Sequence, residues 1–335
     1  MSDQAPLWIS EAQVASLMGM EEAIRALENG LLLEARGEAH NMVKTHVAWG
    51  DGATLHAIGA AFPTVGLVGT KTWAHTPGGA TPLLVLFDSN TGALRAIIEA
   101  FVLGQMRTGS ASGLATKWLA GESADELAII GSGKQALAQV AAVLAVRPLR
   151  RIRVFGRNEE RRSLFVTKLQ DEFGIEVVAC RSVAEAVDGA PIVTLATRAT
   201  EPILFADMLA RGTHINAIGA IVPTACEVAS DVVARASQIV VDSVPQAQKL
   251  SRELIRSFGA DASRWSQVRS LAELVARQQR RAPAADLTLF KSLGMGISDL
   301  SLGIELYQKA LERGLGRRLE HPQKATLGVR AASRK

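Results

Sequence analysis

The chain has 335 residues, 48% of them hydrophobic, and a formal net charge of +4, so it can bury a large core and divides most naturally into two domains. The charge is modest and no stretch interleaves aromatics with dense Lys and Arg, which argues against a nucleic-acid partner. Cys180 and Cys226 are too few and too far apart for a disulfide framework or thiolate cluster. No basic start leads into an apolar core and no run reaches bilayer length, so the expectation is a soluble cytoplasmic protein with no membrane partner.

In chain order, Glu11 to Ala35 carries Val14, Leu17, Met18, Ala23, Leu27 and Leu31 at three- and four-residue spacing, which predicts one helix. Strand-like runs follow at Val43–Trp49, Thr54–Ala60, Val65–Trp73, Leu83–Phe87 and Ala93–Ile98. Turns at Gly50-Asp51-Gly52, Pro77-Gly78-Gly79 and Ser89-Asn90-Thr91-Gly92 separate several of them, as in a mainly antiparallel meander. A helix over Leu103–Leu119 then leads into the next region. Three cations stand out here: Lys44 in KTH, Lys71 in GTKTW and Arg107 in QMRTGSAS. A strand lysine is ordinarily an outward, solvated residue. Arg107 differs, because it sits among Gly104, Thr108, Gly109, Ser110, Ala111 and Ser112, small residues that permit close backbone or ligand approach, and its planar fork suits a carboxylate.

From Leu127 onward short apolar strands alternate with helical periods: strand Leu127–Ile130, helix Gln135–Ala145, strand Arg151–Phe155, helix Glu159–Gln170, strand Ile175–Val178, helix Val183–Val187, then strands Ile192–Ala196, His214–Ile218 and Gln238–Val241. Such strands are buried on both faces, as in a parallel sheet. The first strand runs into GSGKQA at Gly131–Ala136. Gly131 and Gly133 allow a tight turn and close approach to a pyrophosphate, with Ser132 and Gln135 in the loop, and the small Ala136 lets the following helix pack on the strand. The second strand ends in Gly156-Arg157-Asn158, where an acid would accept from a ribose 2′-hydroxyl. Arg157, with Asn158, Arg161 and Arg162, favours a 2′-phosphate instead, hence NADP(H) in preference to NAD(H); the competing reading is a solvated helix start. A last helix at Asp299–Ala310 can cross back onto the first region, and the basic tail beyond Arg313 reads as a solvated end. None of the six histidines stands at ligand spacing from a Cys or carboxylate, so no metal is expected.

KTH, GTKTW, VLFDSNTGALRA, MRTGSAS, IIGSGKQA, THINAIGA and TLFKSLGMGISD, in this order and spacing, resemble the ornithine cyclodeaminase/mu-crystallin family almost end to end. The resemblance implies an α/β fold: a Rossmann NAD(P)-binding domain at 120–298, and an α+β substrate-binding and dimerisation domain at 1–119 and 299–335, in a homodimer. It implies that Lys44, Lys71 and Arg107 hold the carboxylate of a small imino or amino acid, with Lys71 also at the reacting centre and His46 and His75 at the pocket wall. Cofactor contacts are implied at Thr108, Thr197, Ile218, Gly219 and Ser292 besides the glycine loop and the Arg157 cluster. Two departures matter. Lys44 stands where the family usually has arginine, and Ile221 where cyclodeaminases carry an aspartate for the substrate amino group, although Glu227 is close enough in sequence to swing into that place. Hydride transfer to a ketimine or α-imino acid is therefore the expected activity; cyclodeamination, or a non-catalytic mu-crystallin-like binder, are the alternatives. The loop His75–Ala80 is shorter than its usual counterpart, so the substrate side chain is not named.

Overall fold

The computed structural model describes residues 5–327 except Asp51. Among these residues two sheets form, with helices covering both. The first runs Arg317–Arg318, Leu7–Ile9, Leu94–Glu99, Leu83–Asp88, Leu67–Thr76, Ala53–Phe62, His40–Asn41, with Thr45–Trp49 and Gly79–Ala80 attached at its edge. Its centre is a long antiparallel pairing of Ala53–Phe62 with Leu67–Thr76, in which Thr54 faces His75, His56 faces Trp73 and Ile58 faces Lys71. Side chains alternate across a pleated strand. Lys71, Trp73 and His75 therefore share one face with Ile58, His56 and Thr54.

The core of this half is the inner face of that sheet, where Leu84, Leu86 and Ile98 are fully buried under the helices Met20–Ala35 and Gly296–Glu312. The C-terminal helix thus does return to the first region. It comes in at backbone contact: a Cβ added to Gly296 would fall 1.8 Å from the Gly59 carbonyl oxygen. The single helix expected over Glu11–Ala35 is instead two, Glu11–Leu17 and Met20–Ala35. Met18 is extended at φ −144°, and the Gly19 N–H donates to the Glu22 carboxylate at 2.9 Å, starting a new helix. Apolar periodicity hid the break, because Val14 and Leu17 before it and Ala23, Leu27 and Leu31 after it enter the same core.

The second sheet is parallel throughout, in the order Glu176–Ala179, Arg151–Phe155, Glu126–Ile130, Ile192–Leu195, His214–Ala217, Leu287–Lys291, Ala236–Val241, Val268–Ser270. The first five strands follow the doubly wound pattern, with a reversal between Glu126–Ile130 and Ile192–Leu195, where such sheets bind ligands at their carboxyl ends. Leu287–Lys291, buried at every residue and central to the far half, was not anticipated as a strand.

The helix Phe101–Leu119 joins the two sheets and is buried over most of its length. Its small residues serve a helix crossing. A Cβ on Gly109 would come 2.6 Å from the Ala138 carbonyl oxygen, and one on Gly113 2.8 Å from that of Ala142, on the helix Ala136–Leu144 that follows the glycine loop. Its carboxyl end is capped by Arg147, whose guanidinium donates to the Thr116, Ala120 and Gly121 carbonyls at 3.0–3.1 Å. Among the described residues no helix is long and apolar enough to cross a membrane.

Candidate active site

Lys71 lies mid-strand on the covered face of the antiparallel sheet, and only 4% of its surface is exposed. It is therefore not a solvated strand lysine. The close contact of Gly59 with Gly296 brings the first turn of the C-terminal helix over the strand, and Asp299, fully buried, meets it there: its Oδ1 accepts from Lys71 Nζ. The same oxygen lies 3.4 Å from Arg107 Nε, an ion-pair contact but not an aligned hydrogen bond. Arg107 reaches in from the helix Phe101–Leu119, and its Nη1 sits 3.1 Å from where a Cβ on Gly294 would be. Lys44 closes the group from the edge: its Nζ lies 5.9 Å from the Trp73 ring centre and Lys71 Nζ 5.1 Å from it, so the two lysines share one indole.

All three sequence-designated cations thus converge, with a carboxylate among them that sequence reasoning had not singled out. Burial drives the Lys71 ammonium down to about 8; Asp299 opposes the shift, while Arg107 and Lys44 add to it. Burial and then Arg107 lower Lys44 as well. Crowded cations in a partly dry site are the condition in which an arriving carboxylate is strongly favoured.

The histidines extend from this group along the same face. The His56 ring stacks on Trp73 at 4.7 Å and on His46 at 5.6 Å. His46 is thus two rings away from Trp73 and exposed, as is His75. His56, not designated from the sequence, is the inner member. Its Nε2 pairs with Thr54 Oγ1 at 2.8 Å, its Nδ1 is buried without a hydrogen-bond partner, and burial together with Lys44, His46 and His75 takes it down to about 4. Strand register was the missing signal.

Facing this group are the carboxyl ends of the parallel strands. Gly131 adopts φ +114°, and a Cβ there would meet the Ala196 carbonyl oxygen at 2.4 Å, whereas a Cβ on Gly133 would meet nothing within 4 Å. The first glycine is required by the turn and the second leaves open space over the start of helix Ala136–Leu144, where backbone N–H groups favour a pyrophosphate. Gln135 Oε1 is buried beside it without a partner. This loop fits a dinucleotide.

The adjoining loops are tied down by two acids, Glu227 and Asp242, in a bracing role that the sequence did not mark. Fully buried Glu227 accepts from Thr197 N (2.8 Å) and Oγ1 (2.7 Å) with one oxygen, and from Gly219 N (2.7 Å) and Ala220 N (3.1 Å) with the other. It cannot swing toward substrate, which corrects the expectation that it might replace the missing aspartate. Asp242 Oδ2 likewise accepts from Ser292 Oγ, Leu293 N and Gly294 N at 2.6–2.9 Å, holding the loop against which Arg107 lies; burial raises this carboxyl. Thr108 Oγ1 donates to its own helix at Gly104 O, and Ile218 is buried just past its strand.

At the end of strand Arg151–Phe155, Arg157 is exposed, while Arg162 Nη1 donates to Gly156 O at 2.8 Å. Asn158 caps the next helix by accepting from Arg161 N at 2.8 Å. Ile221 is 40% exposed beside the exposed Val222, so two apolar side chains face outward at the position that the family resemblance matches to the cyclodeaminase aspartate.

The model of the ornithine cyclodeaminase/mu-crystallin family matches residues 6–314. The chain belongs to that family. It is 33% identical over 268 residues to a Δ1-pyrroline-2-carboxylate reductase of Bacillus cereus strain ZK / E33L, a match covering 79% of this chain and 81% of the relative. Among solved structures it is similar to the Thermococcus litoralis Δ1-pyrroline-2-carboxylate reductase in complex with NADH and L-proline, with 30% identity and TM-score 0.88 over 93% of this chain and all of that one. An archaeal alanine dehydrogenase dimer with bound NAD is also similar, at 27% identity and TM-score 0.86, covering 95% of this chain and 99% of that one.

Proposed function

We propose that this family member is a nicotinamide-cofactor-dependent reductase that converts the C=N bond of an α-imino acid or ketimine to an amine. The observation that carries the reading is the convergence of Lys44, Lys71 and Arg107 on one small volume opposite the glycine-loop crevice. Relatives named for pyrroline-2-carboxylate reduction and for alanine dehydrogenation support a small imino- or amino-acid substrate for that volume.

Arg107 and Lys44 bind the carboxylate, which orients the imine carbon toward the crevice. A nicotinamide cofactor, when bound in the crevice, would supply the hydride. Lys71 Nζ gives the proton that completes the amine nitrogen; an ammonium near 8 is mostly protonated at neutral pH and still acidic enough to donate. Thr108, Gly131, Ser132, Gly133, Gln135, Ala136, Thr197, Ile218, Gly219 and Ser292 line or fix the cofactor crevice. Arg157, with Asn158 and Arg162 behind it, selects the phosphorylated dinucleotide, so NADP(H) is preferred over NAD(H). His46 and His75 form the outer wall of the substrate pocket. The region 120–298 holds cofactor, and 1–119 with 299–335 holds substrate and forms a homodimer; Val47, Trp49 and Leu55 are exposed on the face opposite the histidines, an apolar strip that a second copy would cover.

The test is consumption of NADPH and NADH with Δ1-pyrroline-2-carboxylate and with pyruvate plus ammonia or methylamine. A flat absorbance trace across this panel, with tight cofactor binding, would make the protein a binder and not a reductase. The cyclodeaminase alternative is tested by incubating ornithine with oxidised cofactor. Neither proline nor ammonia is expected to form, since Ile221 accepts no proton and Glu227 is fixed; robust release of both would overthrow the reductase assignment.

A further inference from the structure

Asp299 is the one acid among the described residues that touches two of the three converging cations. An acid in the first turn of a helix is ordinarily explained by the helix dipole. That explanation fails here, because Asp299 is fully buried and spends its Oδ1 on residues of two other elements, 228 positions away at Lys71 and on the helix Phe101–Leu119 at Arg107. Its placement depends on the close approach of Gly296 to the Gly59 backbone, which leaves no room for a side chain at Gly296.

We infer that Asp299 is a positioning residue for the reduction: it fixes Lys71 and Arg107 relative to each other and keeps Lys71 charged as the proton donor. This rests on the reductase reading above. By standing at the Nε edge of Arg107, Asp299 leaves the two Nη groups to meet the substrate carboxylate. By accepting from Lys71, it holds Nζ in one place while its remaining hydrogens face the site. The proton passes from Lys71 Nζ to the imine nitrogen, Asp299 remains a carboxylate, and solvent restores the proton to Lys71 after product leaves.

The groups facing Lys71 fix the sign of the pH effect. Asp299 raises its affinity for a proton; Arg107 and Lys44 lower it, as does burial. Asp242 acts on Arg107 and Lys44 but is not among the groups acting on Lys71, and His46 and His75 act on His56. Removing Asp299's charge therefore leaves only terms that discharge Lys71, and the alkaline limb of activity must move toward lower pH.

The experiment compares wild type with Asp299→Asn and Asp299→Glu in imine reduction across pH, with cofactor Kd and circular dichroism measured on each. Asp299→Asn is expected to lose roughly 100-fold in kcat/KM, with its alkaline limb displaced by about one pH unit or more to the acid side and cofactor Kd within about twofold. Asp299→Glu is expected to restore the limb while KM for the carboxylate substrate stays raised. A uniform fall in kcat with an unmoved limb in Asp299→Asn overturns the inference and makes Asp299 a packing residue. Should Asp299→Asn not fold, Asp299→Glu decides: a wild-type limb with raised KM supports the role, and wild-type kcat and KM overturn it. A wild type inert toward every imine, by contrast, defeats the reductase reading itself and this inference with it.

Discussion

The cluster of Lys44, Lys71 and Arg107 and the glycine-loop crevice both depend on buried carboxylates, and they use them differently. Asp299 pairs with the side-chain cations of Lys71 and Arg107. Glu227 and Asp242 accept from backbone N–H groups and from hydroxyls, four donors for Glu227 and three for Asp242, and so set the shape of loops. The lesson is that burial alone does not mark an acid as reactive; the identity of its donors does. A carboxylate saturated by main-chain donors is a rigid brace, and one tied to lysine and arginine tunes charge.

Substitutions on each side should separate these uses. The largest effect is expected for Arg107→Ala, which should reduce kcat/KM by about 3 kcal/mol or more, since a buried carboxylate substrate loses its fork partner; steady-state kinetics should show this with dinucleotide Kd little changed. Glu227→Ala should do the reverse. Four donors lose their acceptor, so thermal unfolding should report a loss of about 3 kcal/mol and equilibrium titration a weaker dinucleotide. If Glu227→Ala melts normally and loses only substrate turnover, the brace reading is wrong.

Smaller is the contribution of Arg157, expected to favour NADPH over NADH by about 1.5–3 kcal/mol, the worth of one charge-assisted contact; Arg157→Asp should erase or invert the ratio of the two dissociation constants. Equal binding of both cofactors by the wild type would return the arginine cluster to solvent. The smallest effect comes from His214, buried between Thr288 and Asn216 and lowered by burial to about 3. Its unfolded-state value is near 6.5, so the unfolded chain binds the extra proton first as pH falls. Stability is full above about 6.5 and declines by about 1.4 kcal/mol per pH unit below it. Melting curves between pH 7.5 and 5 should show a weaker acid dependence in His214→Gln than in wild type.

Much of the parallel sheet was legible because its strands are short apolar runs punctuated by glycine. Arg151–Phe155 and the helix Val183–Val187 match residue for residue. Leu287–Lys291 escaped because its last residue, Lys291, and the Ser292 that follows it are polar and read as a loop; in the fold Lys291 is buried against Glu253 and Ala220. At the site, Arg107 was legible from the small residues around it and the glycine loop from its spacing. Asp299 and His56 were not. The first owes its partner to a contact across 228 positions, and the second to the register that sets it opposite Trp73. Neither kind of information is periodic in sequence.

The crossing at Gly109 and Gly113 has a mechanical meaning. Because the helix that carries Arg107 touches, backbone to backbone, the helix that begins at the glycine loop, Arg107 and the glycine loop are mounted on one rigid bracket. The gap between an imino acid held at Arg107 and a dinucleotide held at the loop would then be gauged by the thickness of two glycines. A methyl group added at Gly109 would act as a shim, moving donor and acceptor apart without touching either.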